Sequence, residues 1–181
     1  MHPIFDSLCS WRNETKQRAL SVGGAAMVLL LAAVPVEAQR TADGDGPFAG
    51  LAGHWSGGGT ITLASGEVER IRCRATYTVS STGINLQQTL RCASDGSNFD
   101  LRSTVTHREG TIQGTWTEMT HNSRGAVSGG ASDGVIEANV VGPDFSATLS
   151  VQTRGERQTV TINSRASTLR QVSISMARTA R

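Results

Sequence analysis

The chain has 181 residues, 4% aromatic side chains and a formal net charge of +2. That length suits one domain behind a leader, and so slight a charge gives no footing for a nucleic-acid partner. Past residue 38 there are fourteen arginines, no lysine and twelve carboxylates; the all-arginine set reads either as codon usage of a GC-rich genome or as a supply of planar forks for anions.

The first element in chain order is an export signal. Arg12, Lys16 and Arg18 precede an apolar stretch over residues 25–34, and Val36-Glu37-Ala38 follows. A basic flank, a short apolar core and small residues before the cut predict a signal peptide over residues 1–38, cleaved after Ala38, and a periplasmic or secreted product. An apolar core of about ten residues is half of what a spanning helix needs, so no stable membrane insertion is expected. Cys9 precedes that core, the wrong place for a lipid anchor. Residues 39–50, including Thr41 to Pro47, are small, polar and aperiodic, and read as a flexible N-terminus ahead of a domain over 51–181.

From Leu51 to Arg178 apolar and polar residues alternate, and glycine turns interrupt them every ten or so residues: Ser65-Gly66, Thr82-Gly83, Asp95-Gly96, Glu109-Gly110, Gly142-Pro143, Arg154-Gly155. Period two is the mark of strands with one face buried. Ten strands are predicted, near 54–63, 68–80, 84–94, 97–107, 111–120, 125–131, 134–141, 144–153, 156–164 and 168–178. Residues 125–134 are so rich in glycine and serine that a loop is the alternative there. Strands this sequential, joined by turns this short, predict an all-β antiparallel up-and-down meander barrel of about 8–10 strands. A two-sheet sandwich would demand long crossing connections.

Turn centres set the register, because residues paired across a hairpin have numbers with a constant sum. A turn at Thr82-Gly83 pairs Val79 with Leu86, Ala75 with Leu90 and Cys73 with Cys92. Asp95-Gly96 pairs Cys92 with Phe99, Leu90 with Leu101 and Leu86 with Val105. Arg154-Gly155 pairs Leu149 with Val160 and Ala147 with Ile162. The first hairpin needs a three-residue loop or a bulge near Ser65-Gly66-Glu67. Two facing cysteines in an exported chain, with no Cys-x-x-Cys motif, predict a structural disulfide between Cys73 and Cys92.

Catalytic signatures do not hold together. Gly130-Ala131-Ser132-Asp133-Gly134 has the spacing of a nucleophile elbow, but no helix and no later histidine follow it. Gly57-Gly58-Gly59 lacks the helix behind it that a phosphate loop requires, and reads as a strand bend or a close backbone approach. His54, His107 and His121 lie on separate elements without ligand spacing, so neither metal nor cofactor is expected. The protein reads as a non-enzyme.

Register does assemble two patches. Inside, Tyr77, Gln88, Ser103 and Gly114 form one row with Trp116 one step along, and Trp55 nearby. Such a row is either a hydrogen-bonded core or the orienting belt of a ligand site made of Trp55, Tyr77, Gln88, Ser103 and Trp116. Outside, Arg70, Arg72 and Arg74 share a strand, Arg74 faces Arg91, Arg91 faces Asp100, and Arg102 lies two residues on. The anion contacts are then Arg72, Arg74, Arg91 and Arg102; the alternative is a solvated strand face.

Gly53-His54-Trp55 resembles the Gly-x-Trp signature of calycins, the lipocalin and avidin group of ligand-binding meander barrels. The longer run Leu51 to Thr60, with Arg72-Cys73-Arg74-Ala75, Leu90 to Asp95 and Gly114-Thr115-Trp116, is similar to a family of small exported proteins of α-proteobacteria. The calycin resemblance implies that Trp55 closes one barrel end under an arginine of the last strand, Arg178 or Arg170. The expectation is a monomeric exported barrel that binds a small hydrophobic or amphipathic ligand. The alternative is an envelope or interaction module whose arginine face holds an anionic envelope component.

Overall fold

A computed structural model describes residues 46–180 apart from 97, 166 and 167. The predicted signal peptide, residues 1–38, lies outside the described residues. Ten antiparallel strands form one closed barrel in sequence order: β1 (Gly53–Leu63), β2 (Val68–Val79), β3 (Asn85–Ala93), β4 (Asn98–Arg108), β5 (Thr111–Glu118), β6 (Ser123–Ser132), β7 (Val135–Val141), β8 (Ser146–Arg154), β9 (Arg157–Ser164) and β10 (Leu169–Thr179). Each strand pairs with its chain neighbours, and β10 returns to β1 from His54↔Thr179 to Leu63↔Leu169. The strand-or-loop alternative at 125–134 resolves as strand β6.

Alternation decides the layering. On β2, Ile71, Cys73, Ala75 and Tyr77 are buried while Arg70, Arg72, Arg74 and Thr76 face out. The expected pairings of β2 with β3 and of β3 with β4 are present, with Cys73 opposite Cys92 and Cys92 opposite Phe99. The two cysteines are joined as a disulfide with their Cα atoms 4.1 Å apart. A three-residue loop, Ala64 to Gly66, closes the first hairpin, and Leu63 N–H donates to the Glu67 carbonyl at 2.8 Å. Of the two expected alternatives the loop is therefore the one present; a register shift lies on the other side of β1, between Thr62 and Leu63 against β10.

Two pairings differ from expectation by two residues. Leu149 faces Ile162, not Val160, and Ala147 faces Ser164, not Ile162, because the turn is centred on Gly155-Glu156. Ser103 faces Trp116 rather than Gly114, because Glu109-Gly110 forms a turn with both φ values positive, 49° and 80°, and so pairs Arg108 with Thr111. A two-residue slip keeps every side chain on its face, so the buried set is unchanged.

The inward glycines mark where the wall bends. A Cβ on Gly57 or Gly59 of β1 would lie 2.0 or 1.9 Å from a β10 carbonyl oxygen, and one on Gly125 or Gly129 of β6 would lie 1.9 or 2.1 Å from a β7 oxygen. β1 and β6 stand opposite each other in the ring of ten. Two facing corners therefore depend on backbone approaches that no side chain permits.

The expectation of a flexible leader over 39–50 needs correction from Gly46 onward. Gly46 N–H donates to the Thr82 carbonyl and Phe48 N–H to the Gly83 carbonyl, both at 3.1 Å. Phe48 is wholly buried, and a short 3-10 turn (Ala49–Leu51) seats Leu51 beside it. Buried Phe48 and Leu51, with those two backbone hydrogen bonds, hold residues 46–51 against the barrel end.

Candidate binding site

The barrel ends differ. At the end where β1 begins, Phe48, Leu51 and Trp55 form a floor. Trp55 is 1% exposed, and its indole N–H donates to the Leu51 carbonyl at 2.8 Å. The Arg178 guanidinium lies 4.4 Å from the centre of that ring, donates to the Gly50 carbonyl at 2.7 Å and to the Ala52 carbonyl, and pairs with Glu156 at 2.9 Å. This is the tryptophan-under-arginine closure that the calycin resemblance implies, made by Arg178 and not by exposed Arg170.

Within the floor, Tyr77 sets its ring edge against Trp55, 6.5 Å between centroids. Its hydroxyl donates to Gln158 Oε1 at 2.8 Å, and the Gln158 amide donates to Thr153 Oγ1 at 3.1 Å. Burial pushes the Tyr77 phenol well above its ordinary range, against the opposing pull of the Gln158 bond. Gln158, itself 1% exposed, carries no sequence signal: its partner is 81 residues away.

The middle row continues from Tyr77 through Gln88 and Ser103 to Trp116 and Gly125. Ser103 O–H donates to Gln88 Oε1 at 2.9 Å, and both residues are half-buried. Trp116 packs edge-on against Phe145, 5.9 Å between centroids, and lies over Gly125 and Gly142. Its indole N–H is buried and, among the described residues, has no acceptor. Four of the five expected binding residues thus share one row. Trp55 and Tyr77 have their polar atoms occupied within the floor, Ser103 bonds to Gln88, and Trp116 packs against Phe145.

Beyond that row the packing loosens. Among the described residues, of the apolar side chains that meet the core but remain partly exposed, Ile61, Leu101, Val140, Phe145, Leu149, Ile162 and Leu169 lie toward the far end and Val79 toward the floor. The far end is therefore a mouth lined by apolar groups that their neighbours do not fully cover.

The arginines gather on the outer wall. Arg72, Arg74 and Arg91 line a depression of about 1050 Å³ together with Ser56, Thr89 and Phe99. Arg91 pairs with Asp100 at 3.0 Å while remaining 67% exposed. Arg102, the fourth expected anion contact, shares the face but lies outside that lining. A second hollow of about 410 Å³ lies at the floor end between Pro47, Asp133 and Glu156. Of the histidines, His54 meets Thr76 Oγ1 at 3.1 Å and His107 lies edge-on to Phe48.

No protein-family model matches the sequence, and no curated protein matches it. Among solved structures the barrel is similar to Rv2717c from M. tuberculosis, with a TM-score of 0.60 at 14% identity over 72% of this chain and 94% of that one. It is also similar to the S-type phycobiliprotein lyase CPES from Guillardia theta, with a TM-score of 0.54 at 8% identity over 74% of this chain and 91% of the lyase. Both are β-barrels of the calycin-like type. The likeness is one of fold.

Proposed function

We propose that this barrel is a carrier, binding a small hydrophobic or amphipathic molecule in the mouth half of its interior without transforming it. The observation that supports this reading is the asymmetry of packing: the floor is filled and hydrogen-bonded, whereas Leu101, Leu149 and Ile162 at the other end keep part of their apolar surface uncovered. Apolar walls with few convergent polar groups are the usual makeup of a small-molecule site. Gln88, Ser103 and the Trp116 N–H, which has no acceptor among the described residues, supply such groups. The disulfide suits an oxidising compartment and so supports export to the periplasm or beyond.

Titration with the fluorescent apolar probe N-phenyl-1-naphthylamine tests the reading. Saturable one-to-one binding is expected. Ile162→Trp, which fills the mouth, should abolish it while leaving the circular dichroism spectrum unchanged. No saturable binding, or equal binding by the filled variant, rejects an interior site. Native mass spectrometry of protein purified from its own cells should show a retained mass.

A further inference from the structure

The outer face of β2, β3 and β4 is far more basic than the chain that carries it. Its outward positions hold Arg70, Arg72, Arg74, Arg91, Arg102 and Arg108 against a single carboxylate, Asp100, although the whole chain has a net charge of only +2. Asp100 serves Arg91; among the described residues no carboxylate lies within ion-pair distance of Arg70, Arg72, Arg74 or Arg102. Arg74 and Arg91 stand directly opposite each other across the β2/β3 ladder. Like charges so placed destabilise a sheet, and an anion between them relieves the repulsion.

A second, independent observation concerns the mouth rim beside that face, where Phe99, opposite inward Cys92, sits at the end of β4. Among the described residues, five large apolar side chains are left exposed: Val68, Phe99 and Met119, at 59%, 38% and 49%, lie beside this face, while Val141 at 51% and Ile84 at 36% lie away from it. Val68 begins the β2 row that continues through Arg70 and Arg72. Phe99 borders the arginine-lined depression. Met119 N–H donates to the carbonyl of Asp100 at 2.8 Å, which places it beside that aspartate. All three belong to the mouth end of the barrel. Arginines bordered by bare apolar side chains match a bilayer interface, where phosphates meet acyl chains. An acidic peptide or a nucleic acid would engage the arginines but leave the apolar edge in water.

We propose that this face docks on the surface of an anionic phospholipid bilayer. The arginines meet headgroup phosphates, and Val68, Phe99 and Met119 enter the acyl boundary, so that the barrel mouth opens beside the lipid. Docking does not require an occupied interior; where the carrier reading also holds, the cargo is a lipid-soluble amphiphile exchanged with the membrane.

Cosedimentation of the purified protein with phosphatidylcholine vesicles, and with equimolar phosphatidylcholine and phosphatidylglycerol, tests the docking. Binding to the anionic vesicles should be at least about tenfold tighter and should fall with added salt. Combined Arg70→Gln, Arg72→Gln and Arg74→Gln should weaken it on the order of 100-fold. These side chains are exposed and unpaired, so the variant should fold. Val68→Ser with Met119→Ser should weaken binding about tenfold and leave the salt dependence intact. Equal binding to both vesicles, or an arginine variant that binds like its parent, overturns the proposal. Binding of inorganic phosphate without vesicle association also overturns it and leaves a small-anion site. Arginine-dependent docking by a protein that binds no naphthylamine probe retains this proposal and removes the carrier reading; the converse result does the opposite.

Discussion

Glu118 is 3% exposed and still ionised. Burial alone would raise its pKa, but the backbone N–H groups of His121 and Thr120, the Thr120 hydroxyl and the Asp100 N–H hold it at about 2 against an ordinary 4.5. His121 N–H donates to Oε2 at 2.6 Å, Thr120 N–H to Oε1 at 2.9 Å and Asp100 N–H to Oε1 at 3.2 Å. The carboxylate thereby organises the β5/β6 turn at the mouth. A depressed folded pKa contributes stability that is present above the unfolded value and is lost as pH falls from about 4.5 to about 2. Urea titrations should show the midpoint of the parent protein dropping across that window, while Glu118→Gln, weaker at neutral pH, changes less. Equal pH dependence in the two proteins would show that the turn does not depend on this charge.

At the scale of the strand, the inward glycines are the most demanding residues. Gly125→Ala sets a methyl 1.9 Å from the Val141 carbonyl oxygen and 2.8 Å from Trp116 Nε1. It should destabilise by several kcal/mol, about 3 or more, because overpacking displaces backbone rather than a flexible side chain. Gly96→Ala, with nothing within 4 Å of the added carbon, should cost under about 1 kcal/mol by the same denaturation assay. Those glycines also explain why β6 read as strand or loop. A segment whose small residues permit close strand approach looks, in sequence, like one with poor strand propensity. Elsewhere local chemistry was legible. Alternation placed Ile71, Cys73, Ala75 and Tyr77 inside, and Asp95-Gly96 fixed Cys92 opposite Phe99. A turn centred on Arg154-Gly155 puts that hairpin two residues away from the observed Gly155-Glu156, a slip that alternation cannot reveal. Phe48 and Gln158 carried no pattern, since the groups that bury them arrive from distant strands.

For the molecule as a whole, the disulfide and the ring act on different states. Cys73 and Cys92 lie 19 residues apart on strands already neighbours, so their bond mainly restricts the unfolded chain. Replacing both by Ser should lower stability by about 3 kcal/mol while the barrel still forms, measured by urea denaturation and near-ultraviolet circular dichroism. The seam between β1 and β10 has the opposite character. It pairs His54 with Thr179, 125 residues apart, and nothing local can hold those strands together beforehand. A ring has no edge only when it is complete. During synthesis β1 must therefore wait with one side unpaired until β10 emerges, which makes Leu169–Thr179 a condition for protecting β1 from other chains.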